Sequence, residues 1–190
     1  MKYIAIFASG SGSNAENIIK YFSTGKTGKV VLVLSDRREA YVLKRAAKLG
    51  VESIFFERSD FYSSGLLLNT LHDHKIDLIV LAGFLLLVPG NIIDSYEGRI
   101  INIHPALLPK YGGKGMYGEK VHEAVIANNE KESGITIHHV NRNYDEGDII
   151  FQAKCEVFHD DTPETLAARV HALEYRHFPI VIEELIKNIP

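Results

Sequence analysis

The sequence predicts an α/β protein: a Rossmann-like, mostly parallel sheet flanked by helices on both faces, with a C-terminal antiparallel hairpin extension and a long final helix. Three observations carry this reading. Short apolar runs alternate with amphipathic stretches of helical period. The runs are apolar throughout rather than at every second residue, as in strands buried on both faces. A Gly- and Ser-rich turn follows the first run and leads directly into a helical pattern.

Lys2–Ala8 reads as the first strand, and Ala15–Phe22 as a helix with Ile18, Ile19 and Phe22 on one face. Val30–Leu34 is the second strand. Ala40–Leu49 is an amphipathic helix stopped by Gly50, and Val51–Phe56 is the third strand. Phe61–His74 reads as one helix with Leu66, Leu67, Thr70 and Leu71 along a face. Ile76–Leu81 and Ile100–His104 are the fourth and fifth strands, expected in the same sheet. A Gly-rich loop, Tyr111–Gly118, precedes a helix at Glu119–Asn128. Ile135–Val140 and Ile149–Glu156 are strands joined by a polar stretch, which suits a hairpin. Thr162–Ile189 is a long helix with Thr162 as N-cap and Pro163 in the first turn.

With 46% hydrophobic and 24% charged residues over 190 positions, the chain can bury a sizeable core as one domain. A net charge of −3 predicts no broad basic surface and therefore no nucleic-acid partner. Cys155 is the one cysteine, so no intrachain disulfide or cysteine zinc cluster forms, which fits a reducing compartment. The first apolar run is too short for a secretory signal. Ile76–Val88 contains Asp77 and Gly83 and falls short of the roughly 20 residues that span a bilayer. The expectation is a cytoplasmic protein, free of membrane, as a monomer or homodimer.

Ser9–Asn14 supplies the first chemistry. Glycine permits a sharp turn and close approach to a ligand, and the N–H groups heading a helix favour a phosphate. A tight turn with an ordinary Ser or Asn cap reads the same way. Asp36 stands near the offset of a ribose-binding acid, but no third glycine follows Gly12 where a dinucleotide fingerprint needs one.

Asn102 and His104 leave the fifth strand on one face, stiffened by Pro105 and Pro109. An amide donor beside an imidazole suits charge developing on a carbonyl oxygen, and His104 can move a proton near neutral pH. A structural hydrogen-bonded pair would show the same spacing. Asp145 or Asp148 orients His104 if the loop after the sixth strand folds back; Glu146 and Asp148 also fit a solvated acidic turn. His138 and His139 point to opposite sides of a strand, and His72 and His74 do not share a helix face, so no metal site is expected.

The turn Ser9–Asn14, Leu81-Ala82-Gly83-Phe84, Asn102-x-His104-Pro105-Ala106-Leu107-Leu108-Pro109 and Tyr144-Asp145-Glu146-Gly147-Asp148-Ile149-Ile150 occur in one order. Together they resemble the formyltransferase family over essentially the whole chain, and within it the glycinamide ribonucleotide transformylase branch. The length leaves no room for the extra domains of methionyl-tRNA formyltransferase or formyltetrahydrofolate deformylase. The resemblance implies transfer of a formyl group from the co-substrate 10-formyltetrahydrofolate to the amine of glycinamide ribonucleotide in purine biosynthesis, without a metal. It implies Asn102, His104 and Asp145 as catalytic residues, with Asn102 and protonated His104 donating to the tetrahedral oxyanion. It implies Gly12, Ser13, Asn14 and Glu174 for the ribonucleotide, and Leu85, Leu86, Leu87, Val88, Asn141 and Tyr144 for the folate. Residues 1–100 would form the phosphate-binding half of a single formyltransferase domain (1–190), and 101–190 the catalytic and folate-binding half. Leu86, where the family often has arginine, and the Gly-rich Gly112–Gly118 loop depart from the pattern; Lys114 of that loop is a candidate contact for an anion. A hydrolase acting on 10-formyltetrahydrofolate, or a nucleotide-binding module without chemistry, are the competing expectations.

Overall fold

The computed structural model describes residues 1–25, 27–63 and 65–189. Its strands are β1 (Lys2–Phe7), β2 (Gly28–Ser35), β3 (Glu52–Phe55), β4 (Leu78–Leu81), β5 (Ile100–His104), β6 (Glu132–His139) and β7 (Ile149–Glu156). They form one sheet in the order β3-β2-β1-β4-β5-β6-β7. The pairs from β3 through β5 are parallel; β5–β6 and β6–β7 are antiparallel. The chain moves outward from β1 to β3, then crosses to β4 on the other side of β1. That reversal opens a crevice at the carboxyl ends of β1 and β4, where open α/β sheets take ligands.

Side-chain alternation builds two cores. Ile4 and Ile6 of β1 and Val80 of β4 join one; Ala5 and Phe7, and Ile79 and Leu81, join the other. On the first face pack α1 (Ser13–Ser23), α2 (Tyr41–Lys48), α6 (Glu119–Ala127) and α7 (Pro163–Asn188), through residues such as Ile18, Val42, Val125 and Phe178. On the second pack α3 (Arg58–Ser63), α4 (Leu66–Asp73) and α5 (Gly90–Ser95), through Phe61, Leu71 and Ile92. Each such fully buried large side chain stabilises the fold by about 1.5–3 kcal/mol. Among the described residues, no helix is long and apolar enough to cross a membrane.

The expected elements are present, with shifts at their ends, one correction and one addition. Phe61–His74 is not one helix: Gly65 takes φ 66°, a left-handed conformation that a right-handed helix cannot include, and separates α3 from α4. Ser64 lies outside the described residues. Leu66 consequently points outward at 55% exposure, while Leu67 and Leu71 are buried. The second difference is α5, a short helix in a stretch to which the sequence analysis gave no element; it begins after Pro89.

Helix α7 starts as expected. Thr162 and Thr165 cap each other reciprocally, with Pro163 following at once. Pro179 sits inside the helix and has no N–H to offer the carbonyl of Tyr175. That carbonyl accepts instead from the Asn17 side chain of α1 at 2.9 Å. The helix defect thereby becomes a contact between α1 and α7.

Candidate active site

The crevice is a cleft of about 740 Å³. Its walls are the Gly10–Asn14 turn after β1, Ala82–Leu85 after β4, Asn102–Pro105 at the end of β5, the 113–119 loop, Tyr144 and Asp145 between β6 and β7, and one face of α7.

At one end, Gly12 takes φ 73° as the N-cap residue of α1, and no side chain caps the helix. The carbonyls of this turn are tied to α2: Gly10 O accepts from the Val42 N–H at 3.2 Å and Ser11 O from Arg45 Nε at 2.9 Å. The N–H groups of Ser13 and Asn14 head the helix, where geometry leaves them no intrahelical partner. A Cβ on Gly12 would collide with the Val42 side chain, so close packing on α2 as well as conformation requires glycine. The turn is further held by Ser9, whose hydroxyl donates to Asp36 at 2.6 Å and accepts from the Leu85 N–H at 3.1 Å. Asp36 is thus consumed beneath the turn and does not line the cleft.

Glu174, 4% exposed, faces this end from α7. Its Oε2 accepts from Asn14 Nδ2 at 2.8 Å and from His171 Nδ1 at 2.7 Å. The hydrogen bond to Glu174 holds the His171 imidazole above its ordinary value against the effect of burial. His122 of α6 also lines the cleft, and burial lowers its value. Sequence reasoning missed both histidines; His171 had a signal, since it lies one helical turn before Glu174.

The chemical centre lies between β5 and β6. Asn102 pairs in register with His138, so their side chains rise from the same face of the sheet. Asn102 Nδ2 donates to His138 Nε2 at 3.0 Å and to Asp145 Oδ1 at 3.3 Å. His138 Nδ1 lies 2.8 Å from the His139 carbonyl, which can only accept; the ring therefore carries its hydrogen there and offers Nε2 as an acceptor. Asp145 sits at φ 56° and brings Oδ2 to 3.6 Å from His104 Nδ1. His104 is 3% exposed. Burial lowers its imidazole; Asp145 and the Tyr111 carbonyl pull it back up without cancelling that effect. Burial raises the Asp145 carboxyl, yet the group lies below its ordinary value, with His104 and the Gly113 N–H among the groups that act against burial. Burial thus works against charge on His104, while Asp145 works for it. His138 was the other omission, and strand alternation would have found it once β6 was placed beside β5.

The folate candidates divide. Leu85 and Tyr144 line the main cleft. Leu86, Leu87, Val88 and Tyr144 line an adjoining cavity of about 50 Å³ that shares Phe84, Asn102 and Asp145 with it. Tyr62 holds this segment by donating to the Leu87 carbonyl at 2.9 Å. Asn141 lines neither space; its side-chain oxygen accepts the Asn143 N–H at 2.9 Å. Lys114 reaches the cleft wall. Among the described residues, no group of three His, Cys, Asp or Glu side chains is placed to hold a metal.

A doubly covered sheet carries an anion-type turn and an Asn-His-Asp cluster over one cleft, an arrangement that suits an enzyme. Residues 2–182 match the formyl transferase family, and the chain belongs to it. Within that family it stands with the phosphoribosylglycinamide formyltransferases. It is 40% identical to the chloroplastic phosphoribosylglycinamide formyltransferase of Arabidopsis thaliana over 98% of this chain and 67% of that one. It is 35% identical to the phosphoribosylglycinamide formyltransferase of Bacillus subtilis over 98% of this chain and 95% of that one. The crystal structure of glycinamide ribonucleotide transformylase 1 from Symbiobacterium toebii superposes with a TM-score of 0.90 at 34% identity, covering 98% of this chain and 88% of that one.

Proposed function

We propose that this chain transfers the formyl group of 10-formyltetrahydrofolate to the amine of glycinamide ribonucleotide, a step of purine biosynthesis. The observation that carries the reading is the cleft itself, in which an uncapped helix start and an Asn-His-Asp cluster face one continuous space. A phosphate on the N–H groups of Gly12, Ser13 and Asn14 directs the rest of the ribonucleotide toward His104, with Glu174 beside the ribose and glycinamide. The folate enters past Leu85–Val88 and Tyr144, with Asn141 acting through its loop rather than by direct contact. Residues 1–100 supply the phosphate turn and 101–190 the catalytic trio. Leu85–Val88 and Glu174 cross that division.

The chemistry follows from the placement of Asn102, His104 and Asp145 around one point of the cleft. The neutral substrate amine attacks the formyl carbon and makes a tetrahedral centre with a negative oxygen. Neutral His104 accepts the proton released by the amine, and the resulting imidazolium is stabilised by Asp145. It then donates to the oxyanion and returns the proton to the departing folate nitrogen. Asn102 joins the oxyanion contact by giving up its longer bond, to Asp145. These steps call on no metal.

The test is an absorbance assay with 10-formyltetrahydrofolate, with and without glycinamide ribonucleotide. Conversion that requires the ribonucleotide supports transfer. Conversion of folate alone replaces this reading with hydrolysis, and no conversion by folded protein replaces it with a binding module.

A further inference from the structure

The turn after Pro109 delivers two backbone groups to the His104–Asp145 pair. The Tyr111 carbonyl lies 2.7 Å from His104 Nε2, and the Gly113 N–H donates to Asp145 Oδ2 at 2.9 Å. A carbonyl can only accept, so Nε2 carries the hydrogen and Nδ1 is the bare nitrogen of the neutral ring. Nδ1 is also the atom that faces Asp145. One short turn therefore selects the tautomer of the histidine and braces the aspartate opposite it.

This turn needs support. Tyr111 takes φ 57°, a left-handed conformation that residues with a side chain avoid. Its ring packs against the core outside the cleft, and its hydroxyl donates to Glu130 Oε1 at 2.9 Å, just beyond α6. Lys110 reaches the same oxygen at 2.8 Å. Glu130 touches neither His104 nor the cleft.

We propose that Tyr111 is a positioning residue: its hydroxyl, anchored on Glu130, locks the left-handed turn that fixes the His104 tautomer and holds Asp145 in place. The kinetic consequence rests on the catalytic reading of His104; the tautomer does not.

The ionisable groups facing His104 are Asp145 and His138 from the sheet side, Glu174 of α7 and His122 of α6. None of them is altered by Tyr111→Phe, which removes the tether and keeps the ring. Imidazole nitrogen NMR on the full chain, with the His104 signals identified by their loss in His104→Asn, reads the tautomer directly. The wild-type protein should show hydrogen on Nε2. Tyr111→Phe should show a mixture of tautomers, a kcat reduced about five- to tenfold, the scale of one lost hydrogen bond, and KM values little changed. Its acid limb should move to lower pH, because the carbonyl favours the imidazolium. Glu130→Ala should reproduce these effects. Glu130→Gln should spare them, since its amide oxygen still accepts from the hydroxyl although the Lys110 ion pair is gone. Unchanged tautomer and kcat in Tyr111→Phe, even with lowered thermal stability, would overturn the proposal. A tautomer shift in a protein without formyl transfer would uphold the tether and reject the proposed function instead.

Discussion

Asn14 at the start of α1 donates to Glu174 of α7 at 2.8 Å, across 160 residues of chain. The contact fixes the orientation of the Asn14 amide even though it leaves Oδ1 buried without a partner among the described residues. A carboxylate accepting a hydrogen bond outweighs one unsatisfied carbonyl oxygen. The phosphate-type turn is thus set partly by the last helix of the fold.

Glu174→Ala removes the acceptor of both Asn14 and His171. We expect KM for the ribonucleotide to rise at least about tenfold and stability to fall by about 1–3 kcal/mol in urea unfolding. An unchanged KM would remove Glu174 from the substrate site.

Asn102→Ala and His104→Ala should each lower turnover by about 10²-fold or more, the usual cost of one lost oxyanion donor, and Asp145→Ala by about as much through loss of the charge that stabilises the imidazolium, while circular dichroism stays native. Near-normal turnover in His104→Ala would sink the proposed mechanism.

Gly12→Ala places a methyl group against Val42 at a left-handed backbone position, and should cost about 1–3 kcal/mol of stability. Ser13→Asp introduces no such collision. It should weaken ribonucleotide binding by like-charge repulsion with unfolding midpoint little changed. Equal affinity for wild type and Ser13→Asp, by calorimetry, would exclude the turn as the phosphate site.

The pH dependence has a definite sign. The folded value of His104 lies below its unfolded value near 6.5, so the unfolded chain binds the extra proton first as pH falls. His104, and likewise His122 and His139, destabilise the fold progressively below about pH 6.5. His171 opposes them: its folded value is raised, so its stabilisation is full below that pH and lost as pH rises through its folded value. Turnover should fall on the acid side with a midpoint below about 6.5. Asp145→Asn should lower the His104 midpoint further in an imidazole NMR titration, by deleting the charge that raises it. A midpoint above 6.5 in the wild-type protein would contradict the role given to burial.

Much of the fold was legible because its central parallel strands are short, mostly apolar runs, and its last two strands flank a polar stretch. β5 and β7 fall where the period placed them, and the cap at Thr162 is reciprocal with Thr165. The break at Gly65 was hidden because an isolated glycine inside an apolar period does not announce its φ. Asn102, His104 and Asp145 were legible as motif residues, and the structure brings them together. His138 was not, since its role depends on which residue faces Asn102 across an antiparallel pair. The Tyr111 carbonyl was invisible in principle, since main-chain atoms carry no residue signature.

Pro179 would look to a protein engineer like a flaw worth repairing. Replacing it with alanine would restore the helical N–H and raise intrinsic helix propensity by about 3 kcal/mol. It would also give the Tyr175 carbonyl a second suitor and loosen Asn17, one turn along α1 from Asn14. The repair would improve α7 as a helix while slackening its grip on the helix that begins at the cleft, a trade of rigidity in one element for precision between two.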